Sequence, residues 1–339
     1  MPVQNIDAQL QAVDVVYTWV DDSDPSFQDA LRRYALANRG QVDPDAASLY
    51  RFRNNGELLF SLRSLLAFAP WLRRIHILTN GQVPAWLDRS DQRIHLVTHA
   101  QVFPEPEALP TFNSNAIEMC LHRIPDLARR FIYFNDDVFL GRPVREADFF
   151  LTGGGQKVYL QDTWLPGDYQ HGSTRDRACA HTQTILTRLW GPSHSRRLLP
   201  AHAPQPYDRD RLAHLETLLQ DEFRRTAAHR FRAADDLVLS VLYAYTLRQA
   251  PAEQGRHQFE VVSGLSAQSC FLMLEHNPLW VLWVFAYIWR KQPKFFCIND
   301  DLGNVSPRHP LLKALRTFLQ LYLAKSAPVE RPNEAVRRE

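Results

Sequence analysis

Apolar positions along this chain switch between a period of two and a period of three to four, and that alternation sets out its elements. Val13 to Val20 (VDVVYTWV) reads as a strand, closed by the acidic turn Asp21-Asp22-Ser23-Asp24-Pro25, and Ser26 to Asn38 follows at helical spacing. Leu58, Leu59, Leu62, Leu65 and Leu66 form the stripe of a second helix, with Arg63 one position off the stripe and Pro70 ending it. Arg74 to Thr79 (RIHILT) and Arg93 to Thr98 (RIHLVT) are the next strands, separated by the Asn80-Gly81 turn. Thr111 to Asn115 supplies N-caps for a helix from Ala116 to Arg123. Phe131-Ile132-Tyr133-Phe134 then runs into Asn135-Asp136-Asp137 and resumes as Val138-Phe139-Leu140, the pattern of a strand buried on both faces.

Beyond Phe150 the texture changes. Gly153-Gly154-Gly155 forms a joint, Gln156 to Asp162 reads as a strand, and Gln170 to Ala180 is polar and loop-like. Helices are predicted over Thr182 to Trp190, Arg211 to Ala228 and Ala234 to Arg248, with Phe259 to Val262 and Lys294 to Ile298 as strands that rejoin the sheet. Leu311 to Ala324 is a final amphipathic helix, and Ser326 to Glu339 is expected to be a disordered tail. Strands alternating with helices predict an α/β fold: a Rossmann-like mixed sheet covered by helices. The expected organisation is an α/β core over 1–150, a mainly helical part over 151–325 that completes the site, and the tail over 326–339.

Composition narrows the class only a little. A formal net charge of +2 over 339 residues gives no field that would suggest nucleic acid as a partner. Cys120, Cys179, Cys270 and Cys297 lie far apart, without zinc-ligand spacing, as suits a reducing compartment. Met1 to Ala12 lacks the apolar core of a signal peptide, so the expected location is cytoplasmic. Leu279 to Trp289 is the most membrane-like stretch, but spanning takes about 20 apolar residues. It reads as a buried helix, with membrane-surface contact as the alternative.

Candidate chemistry gathers at strand ends and in two later loops. Adjacent carboxylates at Asp136 and Asp137 are either a plain polar turn or, where an open α/β sheet binds its ligand, hard ligands for Mg²⁺ or Mn²⁺ carrying a diphosphate. Cys297-Ile298-Asn299-Asp300-Asp301 repeats that strand-then-acid design, as though two strand ends converged on one cation. Asp14, in a strand otherwise reading as buried, needs a partner there unless it sits at an exposed strand entrance. His202, in a Pro-rich loop, is either structural or a proton-transfer group. Arg232 precedes a helix start and either grips a phosphate or pairs with Asp235 or Asp236.

Taken in order, these stretches resemble the Stealth family of capsular polysaccharide phosphotransferases and the related N-acetylglucosamine-1-phosphotransferase α/β subunit. The first block is DVVYTWVDDSDP from Asp14; the second runs from RFRNNGELLFSLRSL through ILTNGQVPAWL and LPTFNSNAIEMCLHRIP to RFIYFNDDVFLGRPV. HAPQPYDR with FRAADDLVLSVLY makes the third, and FFCINDD the fourth. One departure is Asp22, where the family often has Gly. The resemblance implies a glycosyltransferase-A-like core and transfer of a sugar-1-phosphate from a UDP-sugar to a saccharide hydroxyl, giving a phosphodiester. It places Asp14, Asp136, Asp137, His202 and Arg232 where the family's required residues lie. On that reading Mg²⁺ or Mn²⁺ sits on Asp136 or Asp137, aided by Asn299 and Asp300, and Arg232 and Arg63 neutralise phosphate oxygens. His202 is the expected base, with Asp14 its competitor. Arg53 is placed with the substrate, and Asn113, Ser114 and Glu118 hold sugar or ribose hydroxyls. A membrane-bound capsule-assembly complex is the implied partner, met at the inner face of the membrane. The rival is a metal-dependent glycosyltransferase that forms a glycosidic bond and releases UDP.

Overall fold

Up to its fourth strand the chain alternates strands and helices much as the pattern predicts. β1 (Val13–Thr18) is followed by α1 (Pro25–Ala37), α2 (Glu57–Phe68), β2 (Ile75–Thr79), β3 (Ile94–Thr98), the short α3 (His99–Val102) and α4 (Ser114–Glu118), then β4 (Arg130–Asn135) and β5 (Val138–Leu140). The computed structural model describes residues 12–40, 42–44, 46–167, 170–193, 195–249, 257–325 and 327–330. Local chemistry fixes the helix starts. The Asp24 carboxylate accepts from the amides of Ser26 and Phe27 with Pro25 at the first helical position, and α2 begins at Gly56, whose φ of 86° suits a residue without a side chain.

The second half runs β6 (Lys157–Trp164), α5 (Thr174–Trp190), β7 (Leu198–Pro200), β8 (Gln205–Asp208), α6 (Arg209–Leu218), α7 (Gln220–Ala228), α8 (Leu239–Gln249), β9 (Gln258–Val262), β10 (Ser269–Leu274), α9 (Pro278–Lys291), β11 (Phe295–Asp300) and α10 (Pro310–Tyr322). It differs from expectation in several places. The stretch read as a loop becomes helical at Thr174, because Ser173 and Asp176 form a reciprocal capping box. The helix expected over 211–228 breaks at Leu219. β7, β8 and β10 carry no clear alternation and were not anticipated.

Three sheets result. The first has the order β3-β2-β1-β4-β8, with β8 antiparallel and the other pairings parallel. From β1 the chain steps outward to β2 and β3, then returns to place β4 on the other side of β1. That reversal of direction opens a crevice at the carboxyl ends of β1 and β4. Helices cover both faces: Val13, Val15 and Tyr17 pack with Leu58, Leu62 and Leu65 of α2, and Val16 packs in a separate core with Leu242 and Tyr243 of α8. The second sheet, β10-β11-β5, pairs β11 antiparallel to β5; the third is β7-β6-β9. β8 joins β4 and β11 joins β5, so strands from beyond residue 150 complete sheets begun before it.

Three expectations need correction on burial grounds. The apolar run 131–140 is two strands in different sheets, broken at Asp136 and Asp137. The expected tail is docked at its start. Ala327 and Val329 are buried, and the Glu330 carboxylate accepts from Arg63 Nε at 2.8 Å and Nη2 at 2.7 Å while Leu323 O accepts from Nη1 at 3.2 Å. A guanidinium this deep in the core needs a carboxylate beside it, and residue 330 brings one. Residues 331–339 lie outside the described set. Finally, α9 is not a wholly buried helix: Val281, Val284, Phe285 and Ile288 face the core, and its opposite side is exposed.

Asp14 is fully buried at the amino end of β1. Arg73 donates to it at 2.8 and 2.6 Å, the Ala128 amide donates at 2.8 Å, and His76 Nε2 stands at 3.2 Å. Burial alone would raise its pKa; the Arg73 and His76 hydrogen bonds and the Ala128 amide outweigh it and bring Asp14 down to about 2. Because the folded value lies below the ordinary 3.8, this stabilisation is present above about pH 4 and is lost as pH falls toward 2. Asp14→Ala is therefore expected to cost about 3–5 kcal/mol in urea unfolding at neutral pH, the usual effect of stripping one partner from a buried pair. The difference from wild type should shrink in acid, while turnover per folded molecule is unchanged.

Candidate active site

The crevice at the ends of β1 and β4 is a cleft of about 410 Å³, lined by Glu57, Glu118, Asp136, Asp137, His202 and Arg232 among others. A second cavity of about 190 Å³ adjoins it, walled by Trp19, Phe27, Phe52 and Phe112 and sharing Arg53, Ser114, Asp136 and Arg232 with the first. Asp136 and Asp137 sit where the chain leaves β4 for β5. The end of β11 comes alongside: the Ile298 amide donates to Asp137 O at 3.1 Å, and Asn299 Nδ2 donates to Asp137 Oδ2, also at 3.1 Å. The two acidic strand ends therefore meet.

Three carboxylates crowd this point. Burial raises Glu57 to about 7, with the Asp137 charge adding to it although Asn55 holds the group by its amide and side chain. Burial, then the charges of Glu57 and Asp137, push Asp136 well above the usual range. Asp137 moves the other way: burial opposes it, but His202, Asn299 and Cys297 hold it low. His202 Nε2 lies 3.5 Å from Asp137 Oδ1, each buried and without a hydrogen bond, and the imidazole stacks on Phe271 at 5.5 Å. The donor atoms of Asp137, His202 and Cys297 lie within 4.8 Å of one another, so a metal could be held here. For a hard divalent ion, Asp136 and the bare Asp137 oxygen fit, with the Asn299 amide beside them. Asp300 does not fit that role. Its Oδ2 accepts from Arg53 at 2.7 Å and Asn55 at 3.3 Å, and its Oδ1 from the Leu302 amide at 3.1 Å.

Opposite the acids stands a basic wall. Arg232 donates to Ser114 Oγ at 2.7 Å and has no carboxylate ion-pair partner among the described residues. Burial, then the neighbouring Arg51 and Arg175, lower it to about 10. Neither acid proposed as its partner takes it: Asp235 pairs with Arg225 at 3.4 Å, and Asp236 accepts from Asn113, Asn115, the Ala233 amide and His229. Glu118, raised to about 7 by burial, accepts from Tyr133 Oη at 3.4 Å and lines the same cleft.

Several expected site residues lie elsewhere. Asp14 is four residues upstream of the Thr18–Asn135 strand ends, roughly 13 Å away along the sheet, and is no candidate base. Arg63 is buried against Glu330 rather than open to phosphate. Asn113 is fully buried and donates to Asp236, His229 O and Phe231 O, so it shapes the Arg232 loop instead of meeting a sugar. Arg53 is in the cleft, joined to Asp300. Glu57 and Arg175 line it without having been singled out. Glu57 reads in sequence as an ordinary first-turn acid, whereas the Ser173…Asp176 box was a legible helix start that would have placed Arg175.

An arginine without a carboxylate partner should bind a polyanion. Inorganic pyrophosphate is expected to raise the melting temperature, and Arg232→Ala to weaken its binding about tenfold or more, the loss of a charge-assisted contact. Arg63→Ala should lower the melting temperature itself and leave the pyrophosphate shift in place. Thermal scans over a pyrophosphate series check both.

Models of the Stealth protein conserved regions match this chain in order: region 1 over 12–39, region 2 over 51–158, region 3 over 201–247 and region 4 over 286–339. It is 34% identical to an exopolysaccharide phosphotransferase of Streptomyces coelicolor over 96% of this chain and 53% of that protein. It is 30% identical to a capsular polysaccharide phosphotransferase of Haemophilus influenzae over 91% of this chain and 83% of that one. The chain spans 33% to 57% of the length of four Streptomyces coelicolor relatives. Among solved structures, the galactosyltransferase LgtC aligns at 11% identity and a TM-score of 0.40, over 95% of this chain and 98% of its own. With all four conserved regions in order, and a Haemophilus influenzae relative matched along most of its length, the chain belongs to the Stealth family.

Proposed function

We propose that the chain transfers a sugar-1-phosphate from a UDP-sugar to a saccharide hydroxyl and releases UMP, in capsule or exopolysaccharide synthesis. The observation that carries this reading is one cleft with a buried carboxylate cluster on one side and Arg232, without a carboxylate partner among the described residues, on the other. Phosphoryl transfer asks a protein for positioning and charge neutralisation more than for covalent chemistry, and this wall-to-wall opposition of charge provides both. Relatives named as capsular and exopolysaccharide phosphotransferases support the same class.

In this reading the aromatic-walled cavity takes the nucleoside and the larger cleft takes the diphosphate and acceptor. Asp136 and Asp137, with Asn299 beside them, would hold Mg²⁺ or Mn²⁺, which would supply charge neutralisation of the diphosphate. Arg232 grips the phosphate that is transferred, steered by Ser114. The acceptor oxygen attacks the phosphorus that bears the sugar. The bond from that phosphorus to the bridging oxygen breaks, and the electron pair leaves with UMP. His202 takes the acceptor's proton, and the Asp137 carboxylate, 3.5 Å from its Nε2, stabilises the imidazolium formed. Glu118, raised to about 7 by burial, lines the same cleft and would hold a sugar hydroxyl.

Incubation with a panel of UDP-sugars and a capsular oligosaccharide should release UMP and give a phosphodiester signal in phosphorus NMR. UDP with a glycosidic product would overturn this reading in favour of the glycosyltransferase. His202→Ala should lower the chemical rate by about 10²–10⁴ with donor affinity nearly unchanged, since a proton acceptor acts in the transition state. Chelation should abolish turnover, and Mg²⁺ or Mn²⁺ should restore it. Single-turnover rates beside donor titrations check these outcomes.

A further inference from the structure

We propose that the outer face of α9 docks the protein on an anionic lipid bilayer, with the helix lying in the headgroup zone. Leu279, Trp280, Leu282, Trp283 and Trp289 are 79%, 43%, 54%, 51% and 52% exposed, although the other side of the same helix is core. A helix apolar all round is stable in water only with both faces covered, and α9 has one covered. The exposed rings are continuous: Trp280 stacks on Trp283 at 5.3 Å and Trp283 on Tyr287 at 5.7 Å. The surface runs on through Trp289, which meets Tyr322 at 5.4 Å, toward Leu321, itself 63% exposed. Contiguous apolar surface of this kind marks an interaction site rather than scattered exposure.

The chemistry of the patch selects its occupant. No Asp or Glu lies between Pro278 and Lys291, and the helix closes on Arg290 and Lys291, neither with an ion-pair partner among the described residues. The nearest acid in sequence, Glu275, stands before the opposite end. Among the described residues no acceptor meets the indole N–H of Trp280, Trp283 or Trp289, so a dry protein interface would have to supply one for each. The bilayer boundary offers apolar depth for the rings and water or ester oxygens for the N–H groups. Basic ends with Trp and Leu along one face are what an interfacial helix requires, and anionic headgroups complement Arg290 and Lys291. No described helix is long and apolar enough to cross a membrane, so the geometry is one of lying on it. Leu279 follows six residues after Met273, which lines the cleft, so the docking helix and the cleft are close along the chain.

The test is flotation of the full chain with vesicles of phosphatidylcholine alone and of phosphatidylcholine mixed with phosphatidylglycerol, beside size-exclusion chromatography with light scattering. Wild type should float with the mixed vesicles, with a blue shift of tryptophan emission. Trp283→Glu, whose fold is checked by its melt, should abolish flotation. Arg290→Ala combined with Lys291→Ala should weaken binding to the mixed vesicles on the order of 30-fold and leave turnover on a soluble acceptor unchanged. Failure of wild type to float with either vesicle overturns the proposal. A wild-type dimer that does not float and that Trp283→Glu disperses assigns the face to a second copy of this chain instead.

Discussion

Two residues, Asp136 and Asp137, carry the chain out of the five-stranded sheet and into an antiparallel pairing with β11, and the site depends on that step. β4 ends at Asn135 beside Thr18 of β1, and β5 begins at Val138 opposite Cys297 of β11. Both sheets therefore fix the backbone on either side of the two carboxylates. They cannot retreat into solvent, and the charge of Glu57 at the start of α2 reaches the same point. Burial and mutual repulsion leave Asp136 reluctant to ionise without a counter-charge. The cleft is built around supplying one.

Charge elsewhere in the fold is handled differently, and the contrast separates structural from functional groups. Asp14 is met by Arg73, His76 and an amide; Arg63 is met by Glu330 and a carbonyl; Asp236 is surrounded by Asn113, Asn115, His229 and a backbone amide. Each is neutralised within the protein, as buried charge must be. In the cleft the pattern is broken. Asp137 Oδ1 and His202 Nε2 face each other without a hydrogen bond, and among the described residues Arg232 bonds to a hydroxyl, that of Ser114, instead of a carboxylate. Groups left this way at the ends of parallel strands are candidates for ligand binding.

Structural and exposed features share the same elements. β11 brings Asn299 against Asp137 and Asp300 against Arg53, while α9, which leads into β11, packs its inner face on that sheet and leaves its outer face to the surroundings. Cleft and exposed aromatic face are thus joined through one short stretch of chain. The cavity walled by Trp19, Phe27, Phe52 and Phe112 shares Arg232 and Asp136 with the cleft, so a single extended ligand could occupy both.

The sequence by itself determined the strands and helices of the first half. Val13–Thr18, Ile75–Thr79, Ile94–Thr98 and the stripe of α2 are written in periodicity, and the Asp24 cap is written in residue type. It also marked Asp136, Asp137, His202 and Arg232 by residue type and setting, and the family resemblance added Ser114 and Glu118; all six line the cleft. The roles of Asp14, Arg63, Asn113 and Asp300 only the tertiary structure decided. A charged side chain reads the same in sequence whether it will face a ligand or an internal partner, and those partners lie far along the chain: Glu330 for Arg63, Asp236 for Asn113, Arg53 for Asp300. Likewise an apolar run does not reveal which of its faces finds cover. The stretch 131–140 was divided between two sheets, and α9 was left with one bare face, by where other strands and helices came to rest.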